Sequence, residues 1–153
     1  MNLDDALLSA TQIADLAQTD IVSVHTWTTR GFADPYHAKP RVRRGGGRVR
    51  SYSMRDALRF FLMARLHKQY RLPLPQGLQI CQSVFGEENF NPDKAAFLVL
   101  EQGTSRANDA TWCADLNSVA ARLAAEPLAA VINVKCILDI IVARTRQYRD
   151  AKI

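Results

Sequence analysis

The chain has 153 residues, 48% of them hydrophobic and 23% charged, which is enough apolar material for a packed core and excludes a disordered polyelectrolyte. No apolar run approaches the ~20 residues that span a bilayer, and the opening MNLDDALLSATQ is acidic where a secretory signal is basic. Three widely spaced cysteines, Cys81, Cys113 and Cys136, form no metal-ligand spacing and no evident disulfide set, so the expected setting is the cytoplasm.

The formal net charge of +5 hides an asymmetry. Between Arg30 and Arg71 stand twelve Lys or Arg against two acids, Asp34 and Asp56, while the rest of the chain is net acidic. A merely soluble surface intersperses both signs. A concentrated surplus points to a polyanionic partner, nucleic acid first and an anionic membrane surface second.

In chain order, Ile13, Leu16 and Ala17 fall at i, i+3, i+4 and predict a short helix from about Thr11 to Ala17. Polar Gln18, Thr19 and Asp20 interrupt it. A second helix follows, with Ser23 or Thr19 as N-cap and Gly31 as the stop. Its inward face is expected to be Ile21, Val24 and Trp27, with Thr26, Thr29 and Arg30 facing solvent and His25 and Thr28 at the margins. Two short helices joined by a tight polar turn form a helix-turn-helix arrangement.

The segment RVRRGGGRVR, Arg41 to Arg50, reads almost the same in both directions. Folded as a β-hairpin around a four-residue loop, Arg44 to Gly47, it sets Val42 opposite Val49 and Arg43 opposite Arg48, with Arg41 opposite Arg50. Both valines then share one face and the arginines the other. Opposed like charges destabilise an isolated hairpin, a cost that bound phosphates would offset. The alternative is a flexible basic loop.

Ser53 with Asp56 three residues on resembles a capping box, and a helix is expected from Met54 to Tyr70. Its apolar face is Leu58, Phe61, Leu62, Arg65 and Leu66, widened by Phe60 and Met63, with Arg55, Arg59 and Lys68 off the stripe. Further on, a short helix starts near Pro75, Ala95 to Glu101 reads as a strand, and Gln102 to Asp109 as a polar stretch. WCADLNSVAARLA reads as a helix with Leu116, Val119, Ala120 and Leu123 on one face. The last apolar run is open: either Ala129 to Val134 is a strand that pairs with the first and a helix follows, or Leu128 to Tyr148 is one helix.

Three segments in order carry a family likeness. TQIADLAQTDIVSVHT resembles the opening of the MerR-type winged-helix domain, in which LA, four residues, then VSVxT mark the turn and recognition helix. TRGFADP resembles that family's exit from the recognition helix, and RSYSMRDALRFFLMARL its Arg-x-Tyr-Ser-x-x-Asp closing segment. The likeness covers about residues 9 to 70. From Thr26 to Gly31 the chain is about one helical turn shorter than the common pattern, and Trp27, Thr28 and Thr29 stand where tyrosines usually follow. In this it is closer to shortened, excisionase-like relatives. The family's long coiled-coil helix is not carried over, because no sustained a/d heptad appears.

The expected chain is α+β: the resemblance implies a winged helix-turn-helix, taken as residues 1–71, and the apolar runs beyond it suggest a C-terminal dimerisation or sensing region over 72–153 that is α+β or helical. The resemblance implies double-stranded DNA as partner. The second helix would lie in the major groove with Ser23, His25, Thr26, Thr28, Thr29 and Arg30 toward base edges and phosphates. The hairpin arginines Arg41, Arg43, Arg44, Arg48 and Arg50 would meet backbone or minor groove, with Tyr52 and Arg55 as phosphate contacts at the foot. Trp27 continues the inward stripe and is expected in the core.

The expected protein is a homodimeric, nucleoid-associated transcriptional regulator of bacterial or phage type, needing no cofactor or metal. The scattered histidines His25, His37 and His67 and a glycine triplet without a following Lys-Ser/Thr suggest no enzyme. Two other readings stand beside it: an architectural or excisionase-like protein of recombination, and a protein- or ligand-binding interaction module.

Overall fold

Ser9 opens the first helix with a reciprocal cap: its hydroxyl accepts from the Gln12 N–H at 3.2 Å, and the Gln12 side chain accepts from the Ser9 N–H at 2.8 Å. The computed structural model of the chain describes residues 8–31, 39–42, 48–85, 97–101, 109–125 and 129–150. Helix α1 (Ala10–Leu16) buries Ile13, Leu16 and Ala17, as their spacing predicts. A turn follows in which Gln18 takes a left-handed conformation, φ 53°, which costs a non-glycine residue ~1–2 kcal/mol. Two cations from a later helix hold it: Arg65 Nη2 donates to Gln18 Oε1 at 2.5 Å and Lys68 Nζ to the Gln18 carbonyl at 3.3 Å.

Helix α2 (Ile21–Thr29) is capped by Asp20, not by Ser23 or Thr19. A carboxylate offers two acceptors, and Ser23 uses both: its N–H reaches Oδ1 at 2.6 Å and its hydroxyl Oδ2 at 2.6 Å. Gly31 ends the helix at φ 70°, in the left-handed region that a glycine enters without strain. Val24 and Trp27 are buried, but Ile21 is 40% exposed, so the inward face begins at Val24.

Strands β1 (Lys39–Val42) and β2 (Arg48–Ser51) pair antiparallel, so the hairpin exists, with a different register. Val42 stands opposite Arg48 and Arg41 opposite Val49, around a five-residue connection, 43 to 47. A one-residue slip exchanges the faces of one strand relative to the other, so the two valines no longer form a pair. The palindrome suggested a register by symmetry, but the fold fixes it from the open end. There Leu8 and Tyr52 form an antiparallel bridge with hydrogen bonds of 2.7 and 2.8 Å, and Ser51 and Tyr52 are buried.

Helix α3 (Met54–Lys68) carries the expected capping box: Asp56 accepts from the Ser53 N–H at 2.8 Å, and Ser53 Oγ from the Asp56 N–H at 3.1 Å. It is buried nearly all round rather than along a stripe. Arg59, expected off the apolar face, is 5% exposed. A helix apolar on several sides lies in the middle of a domain, and here α1, α4 (Leu74–Phe85) and α6 (Val134–Asp150) all pack on it.

The C-terminal half resolves the open alternative in favour of strands. β3 (Phe97–Glu101) is the centre of a three-stranded antiparallel sheet, flanked by β4 (Asp109–Cys113) and β5 (Ala130–Asn133). Leu128 to Tyr148 is therefore not one helix: Asn133 ends β5 and accepts from the Cys136 N–H at 2.9 Å, starting α6. β4 takes Trp112 and Cys113, which the sequence assigned to a helix. Helix α5 (Leu116–Ala125) begins after Asp115, whose carboxylate accepts from the Ser118 N–H at 2.8 Å. Leu116 and Ala120 are exposed and only Val119 of the expected face is fully buried.

Alternation along β3 sorts the core. Leu98 and Leu100 join Ile132, Leu138 and Ile141 with the buried residues of α1–α3, while Val99 packs with Cys113 and Val119 beneath α5. Described residues on both sides of position 71 thus share one core. At its far end α6 is tied to α1: the Tyr148 hydroxyl donates to the Asp15 carboxylate, and Arg144 lies 3.8 Å from the same group. Burial and the Asp15 charge push the Tyr148 hydroxyl up to about 12. The result is a mixed α/β fold with six helices and two antiparallel sheets among the described residues. None of the described helices is long and apolar enough to cross a membrane.

Candidate nucleic-acid interface

The cross-section of α2 decides which of its polar residues are available. Val24 and Trp27 face the core, where Trp27 stacks on Phe60 with centroids 6.3 Å apart. Trp27 is a core residue, as its place on the stripe predicts. On the opposite side His25, Thr29 and Arg30 are exposed, and Thr26 is half-buried.

Two of the expected readers have hydroxyls already engaged. Thr28 Oγ1 donates back to the Val24 carbonyl at 2.8 Å, a bond within the helix. Ser23 Oγ donates to Asp20, and this bond, ahead of the backbone N–H of Ser23, holds the Asp20 carboxyl below its ordinary range. Ser23 and Thr28 keep acceptor lone pairs only. His25, Thr29 and Arg30 are exposed with donors to offer, and Thr26 is half-buried beside them.

Residues the sequence passed over complete the face. Val22 is 68% exposed in the first turn, and Ile21 lies beside it. The signal was present: Val22 is two residues from Val24, close to the opposite side of a helix, so both cannot face one core. An exposed valine at the start of such a helix is suited to contact with a thymine methyl group.

The hairpin side is partly described. Arg50 is exposed at the end of β2. Arg41 and Arg48 sit on paired strands, described in backbone only, and Arg43 and Arg44 lie outside the described residues. Arg55, in the first turn of α3, is half-buried and already engaged. Tyr52 does not belong to the site: it is 0% exposed, its ring edge-on to Phe60 at 5.8 Å. The Leu8 bridge and the cap of α3 turn it into the core, so it cannot reach a phosphate in this conformation.

Arg59 is buried, Arg65 lies over the Phe61 ring at 5.1 Å, and both Arg65 and Lys68 serve the α1–α2 turn. The cationic surface is therefore narrower than the sequence count implies. Among the described residues, Arg30 at the end of α2 and Arg50 on β2 are exposed cations that follow α2 in sequence. Among the described residues no group of three or more His, Cys, Asp or Glu could hold a metal ion. Comparison with protein-family models and with curated protein sequences finds no match for the chain.

Proposed function

We propose that this chain is a sequence-specific double-stranded DNA-binding transcriptional regulator built on a MerR-type winged helix. In this reading α2 enters the major groove, and the β1–β2 hairpin acts as the wing on backbone or minor groove. The observation that carries the proposal is the division of α2: apolar Val24 and Trp27 inward, and Val22, His25, Thr29 and Arg30 outward. A polar outer face is common to surface helices; what sets this one apart is exposed Val22 and Ile21 beside it and an arginine-rich hairpin after it.

Roles follow from chemistry. Arg30, a forked cation at the helix end, takes a phosphate or a guanine edge; Thr29 and His25 meet base edges, and Val22 a thymine methyl. Arg41, Arg43, Arg44, Arg48 and Arg50 supply sequence-independent attraction, which explains why their charges are tolerated so close together. The partner copy of a homodimer, joined through the C-terminal region, would place a second α2 about one helical turn of DNA away.

Selection of binding sites from a pool of random duplexes tests the proposal. An enriched motif, preferentially one with repeated half-sites, supports it. An unenriched pool, still retained at low salt, contradicts it and leaves charge attraction alone. Strong bending of the selected duplex, on the order of 40° or more, would assign the protein to architectural or excisionase-like work.

A further inference from the structure

A cavity of about 330 Å3 opens between the C-terminal end of α3 and the start of α6, and none of its described lining residues belongs to α2 or the hairpin. Its walls are largely apolar, with Phe61, Ile132 and Ile137 among them, and no carboxylate lines it among the described residues. That volume lies at the small end of ligand pockets, which typically join apolar walls to a few convergent polar groups.

The polar side chains on its described lining are Arg65, Gln69, Tyr70 and Asn133, and the charge among them is that of Arg65. Arg65 lines the cavity with its guanidinium over the Phe61 ring, and Gln18 takes one of its five N–H donors. Asn133 also lines it, and its carboxamide oxygen is already occupied by the Cys136 N–H. The end of that amide left over is the NH2, another donor. A cation beside neutral amides and a phenol over an apolar floor matches an apolar body with an anionic head.

We propose that this cavity is a binding site for a small apolar carboxylate, with Arg65 holding the carboxylate and Phe61, Ile132 and Ile137 enclosing the ring or branched chain. The site has a built-in connection to the N-terminal part. The guanidinium that would hold the carboxylate is the one that donates to Gln18, the left-handed residue in the turn leading to α2. A bound carboxylate competes for the donors of Arg65 and so loosens or re-aims that turn. This inference does not depend on the DNA-binding proposal, since both its parts are read on the protein alone.

Calorimetric titration of the full chain with 1-naphthoate and with its neutral analogue 1-naphthamide tests it. The expected result is a naphthoate Kd below ~10 mM and at least a tenfold weaker amide. Arg65→Met is expected to weaken naphthoate at least tenfold and leave the amide unchanged. Cys136→Trp, which fills the cavity from an exposed position, is expected to abolish both. Naphthoate is further expected to shift the Gln18 and Thr19 amide resonances. Equal affinity for acid and amide, or no binding of either, overturns the proposal, as does a Cys136→Trp variant that binds like the parent. So does sedimentation showing the cavity closed by a second copy in a dimer that Cys136→Trp disrupts. If Arg65→Met fails to fold, the two probes and Cys136→Trp still decide.

Discussion

Asp20 and Ser23 close a two-bond cap at the start of α2, with the Ser23 N–H on Oδ1 and its hydroxyl on Oδ2, each at 2.6 Å. The pairing sets where the proposed recognition helix begins, and it has a pH signature. The hydrogen bonds from Ser23 keep the Asp20 carboxyl below its ordinary range, so the folded chain binds that proton less readily than the unfolded one. The cap's contribution is therefore complete above the unfolded-state carboxylate range and is lost as pH falls through the folded-state value. Asp20→Ala is expected to lower Tm at pH 7, Asp20→Asn to lower it less, and the gap between parent and Asn variant to close in acid. Thermal melts from pH 7 to pH 2 check this; a gap that is constant with pH contradicts it.

Tyr52 makes the opposite prediction from a phosphate contact. Its hydroxyl is buried with no hydrogen-bond partner among the described residues, and an unsatisfied buried hydroxyl costs stability. Tyr52→Phe is expected to leave the fold unchanged or stabilise it by up to ~1–2 kcal/mol, and to leave the salt dependence of the proposed DNA binding untouched. Denaturant unfolding and a salt series check both. A salt slope reduced by about one would return Tyr52 to the interface.

How much of this was legible follows from range. The cap of α3, the turn at Gln18 to Asp20, the Gly31 stop and the strand at Phe97 rest on residues a few positions apart and are readable, while the strand at Ala130 is readable only as one of two alternatives and the Ser9 cap of α1 is passed over. Non-local facts are not readable. Arg59 reads as solvent-facing because nothing in its own helix says that elements distant in sequence will bury it. The hairpin register looked symmetric because the Leu8–Tyr52 bridge joins residues 44 positions apart. β4 was missed because DATWC is short, and half of its reason to be a strand is β3 beside it. Of the proposed site, the outward face of α2 was legible except for Val22 and Ile21, whose exposure depends on where the core stops.

Gly77 offers a clean stability test. It lies inside α4, and an added Cβ would meet Met63 Cγ at 3.5 Å and Leu66 Cβ at 4.0 Å, ordinary van der Waals contacts. A glycine in a helix interior costs ~0.5–1 kcal/mol relative to alanine. Gly77→Ala is expected to stabilise by about that amount in denaturant unfolding. A destabilised variant would mean that α3 and α4 approach more closely than described.

The three thiols are expected to separate by accessibility. Cys81 and Cys113 are buried, and burial pushes the Cys81 thiol up to about 12, so it stays protonated and unreactive. Cys136 is exposed on α6. One thiol per chain should react quickly with a disulfide reagent at pH 8, with the remaining two reacting only on unfolding. Loss of the fast phase in Cys136→Ser, with nothing else changed, checks the assignment; fast reaction of Cys81 contradicts the packing of α4 on α3.

The central claim, that the outer face of α2 reads sequence while the hairpin arginines hold backbone, is tested most directly by one titration. A duplex carrying the selected motif and a scrambled duplex are each titrated at about 50 and about 200 mM salt, with the parent, Thr29→Ala and Arg48→Ala. The account predicts that the parent prefers the motif at both salts. Thr29→Ala should lose most of that preference, on the order of 1–3 kcal/mol. Arg48→Ala should weaken both duplexes alike, with the preference ratio kept and the salt slope reduced by about one. Equal parent affinity for the two duplexes, vanishing at the higher salt, would contradict it.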